Sequence, residues 1–127
     1  MQSAECRVAK IESFRELIVW QRSMQLANAI YDATGKFPKD ELFGLTSQMR
    51  RASVSVASNI AEGSQRGGKK EFVQFLTIAR GSLAELLTQP ILAQNRNIIT
   101  NEAYQLIYGL IDEVSRMLMR LIQSLKK

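Results

Sequence analysis

"QMRRASVSVASNIAEG", residues 48–63, is the stretch on which the fold of this chain turns. At about 100° per residue, Leu45, Met49, Ala52, Val56 and Ile60 share one face, which makes the stretch an amphipathic helix with a core-facing stripe. Beside that stripe runs a polar seam of Gln48, Arg51, Ser55, Ser58 and Glu62, spaced 3, 4, 3, 4, with Asn59 adjoining. Such spacing lines these side chains up toward a neighbouring helix. Roughly opposite the core lie Val54, Ala57 and Ala61, small apolar residues next to Arg50. Small side chains let helix backbones approach closely, so this helix is expected to be contacted on two or three sides.

The charges divide in the same way. Arg51 and Glu62 are eleven residues apart, about 16 Å along the axis, and cannot pair with each other. Glu62 sits in the last turn, where the helix dipole disfavours a carboxylate by about 0.3–1 kcal/mol. A nearby cation is therefore expected: Arg66, Lys69 or Lys70 after the turn, or an arginine of a neighbouring subunit. The seam Gln48, Arg51, Ser55, Asn59 and Glu62 is read as structural, setting register within or between subunits. Arg50, about 100° round from Arg51, is expected to face solvent or a phosphate, a task suited to the guanidinium fork.

Outward from this helix, punctuation divides the chain into four. Ser13 is a candidate cap for a first helix running to about Thr34, with Gly35 as terminator. "KFPKDELFG" is a connector in which Pro38 and Asp40 suit the entrance of the second helix. That helix ends at Gly63, and "GSQRGG" is a turn. A third helix begins near Lys69 and reaches into the nineties. "NRNIITNE" breaks the pattern again, with Thr100 as N-cap of a fourth helix ending near Leu125. Strand-like alternation of useful length is absent from the sequence. The expected fold is all-α, an antiparallel up-and-down four-helix bundle over residues 13–127. Residues 1–12 are expected to form a flexible leader.

Two helices carry more apolar surface than an isolated bundle needs. The first has Phe14, Leu17, Met24 and Tyr31 on one face, flanked by Trp20 and Ala27, and a second stripe of Val19, Leu26 and Ile30. The fourth has Ile107, Ile111, Val114, Leu118, Leu121, Ile122 and Leu125, widened by Leu110, Met117 and Tyr108. Surplus apolar faces mark protein contacts, so a cyclic homo-oligomer is expected.

Composition narrows the function. At 127 residues with 46% apolar and 23% charged residues, the chain is an ordinary single domain. Its single cysteine, Cys6, rules out an internal disulfide framework and fits a reducing cytoplasm. No apolar run approaches the roughly 20 residues of a membrane span, and the N-terminus lacks a signal-peptide core. Histidine is absent, which removes the commonest general base, the commonest metal ligand and the di-iron bundle motif. Neither a G-x-x-x-x-G-K-[ST] loop nor a G-x-G-x-x-G fingerprint occurs. No enzymatic activity, catalytic residue, metal or cofactor is expected.

The net charge is +5. Between Gly44 and Gly81 stand Arg50, Arg51, Arg66, Lys69, Lys70 and Arg80 against only Glu62 and Glu71. A clustered basic field draws phosphate polymers or acidic partners; the plain alternative is a solvated face. Arg50, Arg66, Lys69, Lys70 and Arg80 are the candidate nucleic-acid contacts. Most aromatic residues have plausible core positions, so recognition through backbone or shape is expected rather than base stacking.

Three blocks, "FRELIVWQRS" (14–23), "FPKDELFGLTSQMRRASVSVASNIAEG" (37–63) and "EFVQFLTIARGSLAEL" (71–86), resemble the bacterial four-helix bundle proteins encoded in intervening sequences of large-subunit ribosomal RNA genes. That family includes relatives of the accessory variability protein of diversity-generating retroelements. The resemblance implies a pentameric ring or barrel. For the retroelement relatives it implies nucleic-acid binding and association with a reverse transcriptase. Arg50, Arg51, Asn59, Glu62 and Gly63 match the central block, and Gly81, Ser82 and Glu85 the third. Where the family usually reads "TQL", this chain has Thr88-Gln89-Pro90, and a kink near Leu86–Leu87 or an early helix end is expected.

The leading functional expectation is a basic homo-oligomer that binds RNA or DNA through phosphates, acting as an accessory factor to a reverse transcriptase. The alternative is an interaction scaffold that docks an acidic protein partner, without physiological nucleic-acid binding.

Overall fold

The computed structural model describes residues 13–127, and the leader expected over residues 1–12 lies outside them. Four α-helices carry the described chain: α1 Ile18–Thr34, α2 Ser47–Ser64, α3 Lys69–Asn95 and α4 Asn101–Lys126. No strand occurs among the described residues. The packing runs in a closed square, α1 on α2, α2 on α3, α3 on α4 and α4 back on α1. Contacts at the helix ends make all neighbours antiparallel: Thr34 meets Arg50 between α1 and α2, Gly63 lies against Phe72 between α2 and α3, Val73 and Leu125 share a groove between α3 and α4, and Ala33 and Ala103 share one between α1 and α4.

The start of the first helix differs from the sequence expectation. Ser13 opens a separate 3₁₀ turn, Ser13–Glu16, and α1 begins after an extended Leu17 (φ −71°, ψ 123°) without a side-chain cap. The break brings the Phe14 ring edge-on to Trp20, with centroids 5.2 Å apart, so an aromatic contact fixes the entry angle. At the other end Gly35 is right-handed (φ −61°) and does not use its left-handed freedom. The chain leaves α1 through bonds from Lys36 and Phe37 N–H to the Ala33 and Thr34 carbonyls, and Phe37 is buried.

The entrance to α2 is a 3₁₀ turn, Lys39–Glu41, and a π-helical turn, Leu42–Thr46, which departs from helical geometry at Gly44. Glu41 rather than Asp40 provides the cap, its carboxylate accepting from Leu45 N–H at 3.4 Å. α3 passes through Pro90 without ending, so the early stop does not occur. The proline loses one backbone bond but is buried beside Leu86 and Ile107 against α4. α3 ends where Asn97 turns left-handed (φ 60°), with Ile98 N–H bonded to the Ala93 carbonyl at 3.0 Å; asparagine takes the place that glycine often fills in such caps. Thr100 caps α4 as expected, its Oγ1 accepting from Ala103 N–H at 3.1 Å.

The expected core stripe is buried at Leu45 in the π-helical turn and at Met49, Ala52, Val56 and Ile60 in α2. On α1 the structure decides between the two stripes. Val19, Leu26 and Ile30 face the core with Ser23 and Thr34, whose hydroxyls are satisfied by carbonyls of their own helix. Met24 and Tyr31 are exposed instead. On α4, Ile107, Ile111, Val114, Leu118 and Ile122 form the buried line, and Leu110, Met117, Leu121 and Leu125 pack at its edge. Tyr108 stays exposed.

Candidate nucleic-acid interface

The two adjacent arginines of α2 have different surroundings. Arg50, expected to face solvent, is half-buried and lies across the end of α1. Its Nε donates to Thr34 Oγ1 at 2.9 Å and its Nη2 to the Tyr31 carbonyl at 3.5 Å. The guanidinium stands over the Tyr31 ring, 4.5 Å from the centroid. A cation at a helix C-terminus meets the negative end of the dipole and its unpaired carbonyls, so Arg50 clasps α1 to α2. Arg51 is exposed and makes no ion pair among the described residues.

The polar seam separates along its length. Ser55 and Asn59 meet α3: Ser82 Oγ bonds Ser55 Oγ at 2.8 Å, and Asn59 Nδ2 donates to the Ser55 carbonyl and hydroxyl at 2.8 and 3.1 Å. Gln48 and Glu62 are exposed. Glu62 has the cation that its position in the last turn calls for, Arg66, at 2.7 Å. Arg66 also lies over the Phe75 ring, 5.0 Å from the centroid, so its guanidinium is held from both sides.

Gly63 explains the end of the quoted stretch. A Cβ there would stand 2.7 Å from Phe75 Cβ and 2.9 Å from Phe72 Cδ1. α2 and α3 approach closely here, and the turn that follows delivers Lys69 and Lys70 at the start of α3.

Lys69, Lys70 and Arg80 are exposed and make no ion pair among the described residues. Lys69 and Arg80 are eleven residues apart and share one line of α3, about 16 Å along it. A cation outside the sequence cluster joins them: Lys126, at the end of α4, lines a groove of about 400 Å³ with Lys69, Lys70, Val73, Gln74 and Leu125. Lys126 lies far from the lysines in sequence. The signal that reveals it is topological, since an antiparallel bundle sets the end of α4 beside the start of α3.

Other features were not legible as site elements. Phe43, in the π-helical turn, is 91% exposed, and Tyr108 is half-exposed, so not every aromatic is in the core. A groove of about 460 Å³ runs between α1 and α2, lined by Trp20, Met24, Tyr31, Val54, Ala57 and Ala61 among others. On α3 and α4, Leu87, Ile91, Leu92, Leu106 and Tyr108 leave a second apolar surface. Gln89 is buried with its Oε1 unpartnered among the described residues. No group of three or more cysteine or carboxylate side chains among the described residues gathers to hold a metal ion, and no helix there is long and apolar enough to cross a membrane.

Comparison with known proteins adds a family and a fold. Residues 15–120 match the family model described as "23S rRNA-intervening sequence protein". The chain is similar in structure to a protein of unknown function from the S23 ribosomal protein family of Bacteroides thetaiotaomicron VPI-5482. The TM-score is 0.77 at 24% identity, over 84% of this chain and 96% of that one. At that identity the likeness establishes the fold alone. No curated protein matches the sequence.

Proposed function

The chain belongs to the 23S rRNA-intervening sequence protein family, and from that premise we propose that it is a non-enzymatic, cytoplasmic homo-oligomer whose basic surface binds nucleic acid through phosphates. The observation that carries this reading is the set Lys69, Lys70 and Arg80, exposed cations without an ion-pair partner among the described residues, on a chain of net charge +5. Arg66 adds to the field while sharing its charge with Glu62. Arg50 contributes charge from a guanidinium already engaged by α1. Phosphate contacts of this kind bring strong salt dependence and little sequence preference. We assign no cofactor or metal.

The apolar faces support assembly. α1 pairs with α2 and α3 with α4 around the square, so the α1–α2 groove and the α3–α4 surface look in different directions. Contact between two such unlike faces is heterologous and closes into a ring when the rotation permits. Five subunits is the number implied by the resemblance, and a ring of five would carry five times the charge of one chain. An accessory role beside a reverse transcriptase rests on the same resemblance.

A second reading is a scaffold that docks an acidic protein partner. The apolar faces favour it, because protein partners bury such surface and phosphate backbones do not. Fluorescence anisotropy with structured RNA, duplex DNA and single-stranded DNA across a salt series separates the two. Binding that persists at physiological salt with a steep salt slope supports the first. Binding lost below physiological salt, with an acidic protein still captured, supports the second.

A further inference from the structure

We infer that the lysine-rimmed groove between the start of α3 and the end of α4 holds an unpaired nucleotide, which makes single strands the preferred form of nucleic acid. This inference rests on the nucleic-acid reading and goes further by naming the ligand form and the pocket. Lys69 and Lys70 project from the first turn of α3 and Lys126 from the last turn of α4, and among the described residues no carboxylate side chain lines the space between them. Three ammonium groups around one opening are complementary in charge to the phosphates flanking a single residue of a strand.

The lining argues for more than phosphate. Val73 and Leu125 give the groove an apolar wall, and Gln74 adds one carboxamide that both donates and accepts. The groove of about 400 Å³ falls in the range of small-ligand sites, about 300–1,000 Å³. A base removed from its stack gains by covering apolar side chains and offers its edge to an amide. A duplex has no free base to insert and would use the lysines alone. An acidic peptide would satisfy the lysines, but the carboxamide and the single-residue scale of the groove favour the nucleotide.

The test uses the full chain and three probes of equal length by fluorescence anisotropy at physiological salt: oligouridylate, the same strand made abasic, and duplex RNA. The groove predicts that oligouridylate binds more tightly than duplex RNA. It predicts that the abasic strand binds about fivefold more weakly, the low end for a base contact without an aromatic platform. Lys126→Glu is expected to weaken oligouridylate binding several-fold. Arg96→Glu, the same charge change at the exposed end of α3 remote from the groove, is expected to weaken it much less. Thermal melting of both variants checks that the bundle is intact.

Equal effects of the two substitutions, together with equal binding of abasic and intact strands, would overturn the groove while leaving phosphate binding in place. Absence of binding to any of the three probes would overturn both. In that case polyglutamate that binds the native chain but not Lys126→Glu would reassign the groove to an acidic protein.

Discussion

Gly63 and Phe75 sit so close that a methyl group on Gly63 would stand 2.7 Å from the Phe75 Cβ. Phe75 Cβ is tied to its backbone and cannot swing away, so Gly63→Ala must shift α2 against α3. Overpacking of this kind costs about 1–3 kcal/mol, against a helix-propensity gain of up to about 1 kcal/mol. The net expectation is a loss of up to about 2 kcal/mol in urea unfolding. A variant as stable as the parent would mean that the two helices separate at no cost.

Gly81 supplies the opposite case. It lies inside α3 with no atom of the described residues within 4 Å of an added Cβ, so Gly81→Ala is expected to stabilise the single chain by about 0.5–1 kcal/mol. Destabilisation, or a change in mass by light scattering, would instead place another subunit against that surface.

The adjacent arginines are expected to respond differently. Arg50→Ala removes the Thr34 bond and the Tyr31 contact, together about 1–2 kcal/mol. Arg51→Ala removes an exposed side chain and is expected to stay within about 0.5 kcal/mol. Equal melting of the two variants would contradict the clasp. A loss confined to Arg51→Ala would restore it to an interface seam.

Gln89 tests the interior. Its Oε1 is buried without a partner among the described residues, and an orphaned acceptor costs about 1–3 kcal/mol relative to a satisfied one. Gln89→Met, similar in volume, is expected to be neutral or stabilising, whereas Ser82→Ala should cost about 0.5–1.5 kcal/mol by removing the Ser55 bond. Marked loss in Gln89→Met would reveal a donor contributed from outside the chain.

If the α1–α2 groove and the α3–α4 surface meet between subunits, a charge in either should block assembly. Val54→Glu and Tyr108→Glu alter exposed positions, so each is expected to yield a folded species of lower mass. Unchanged mass in both variants would remove these faces from the interface.

The four helices are legible because the apolar periodicity of the core stripes and the Gly, Asn and Thr breaks agree at most boundaries. The exceptions are the start of α2, which begins at Ser47 after 3₁₀ and π-helical turns rather than at Pro38 and Asp40, and the start of α1. There Leu17 is extended and Phe14 reaches Trp20, a local tertiary contact that a capping rule for Ser13 does not contain. Position on a helical wheel placed Arg50 outside, but its long side chain bends back to the end of α1. Angle gives the direction of a Cβ, not the destination of a guanidinium. The third-helix proline predicts a kink near Leu86–Leu87 or an early helix end, and the early end does not occur because burial against α4 holds the helix through it. Lys126 is invisible to charge clustering along the chain, because the groove is assembled across the bundle.

The most direct test of the central proposal is an anisotropy titration of single-stranded RNA over a salt series, with the mass of the protein followed by light scattering in the same buffers. The expected result is an oligomer that binds at physiological salt, with log affinity falling linearly against log salt at a slope of about −0.7 per phosphate neutralised. Lys69→Glu and Lys70→Glu should each make that slope shallower. An intact oligomer with no affinity at physiological salt would contradict the nucleic-acid function and assign the basic surface to a protein partner.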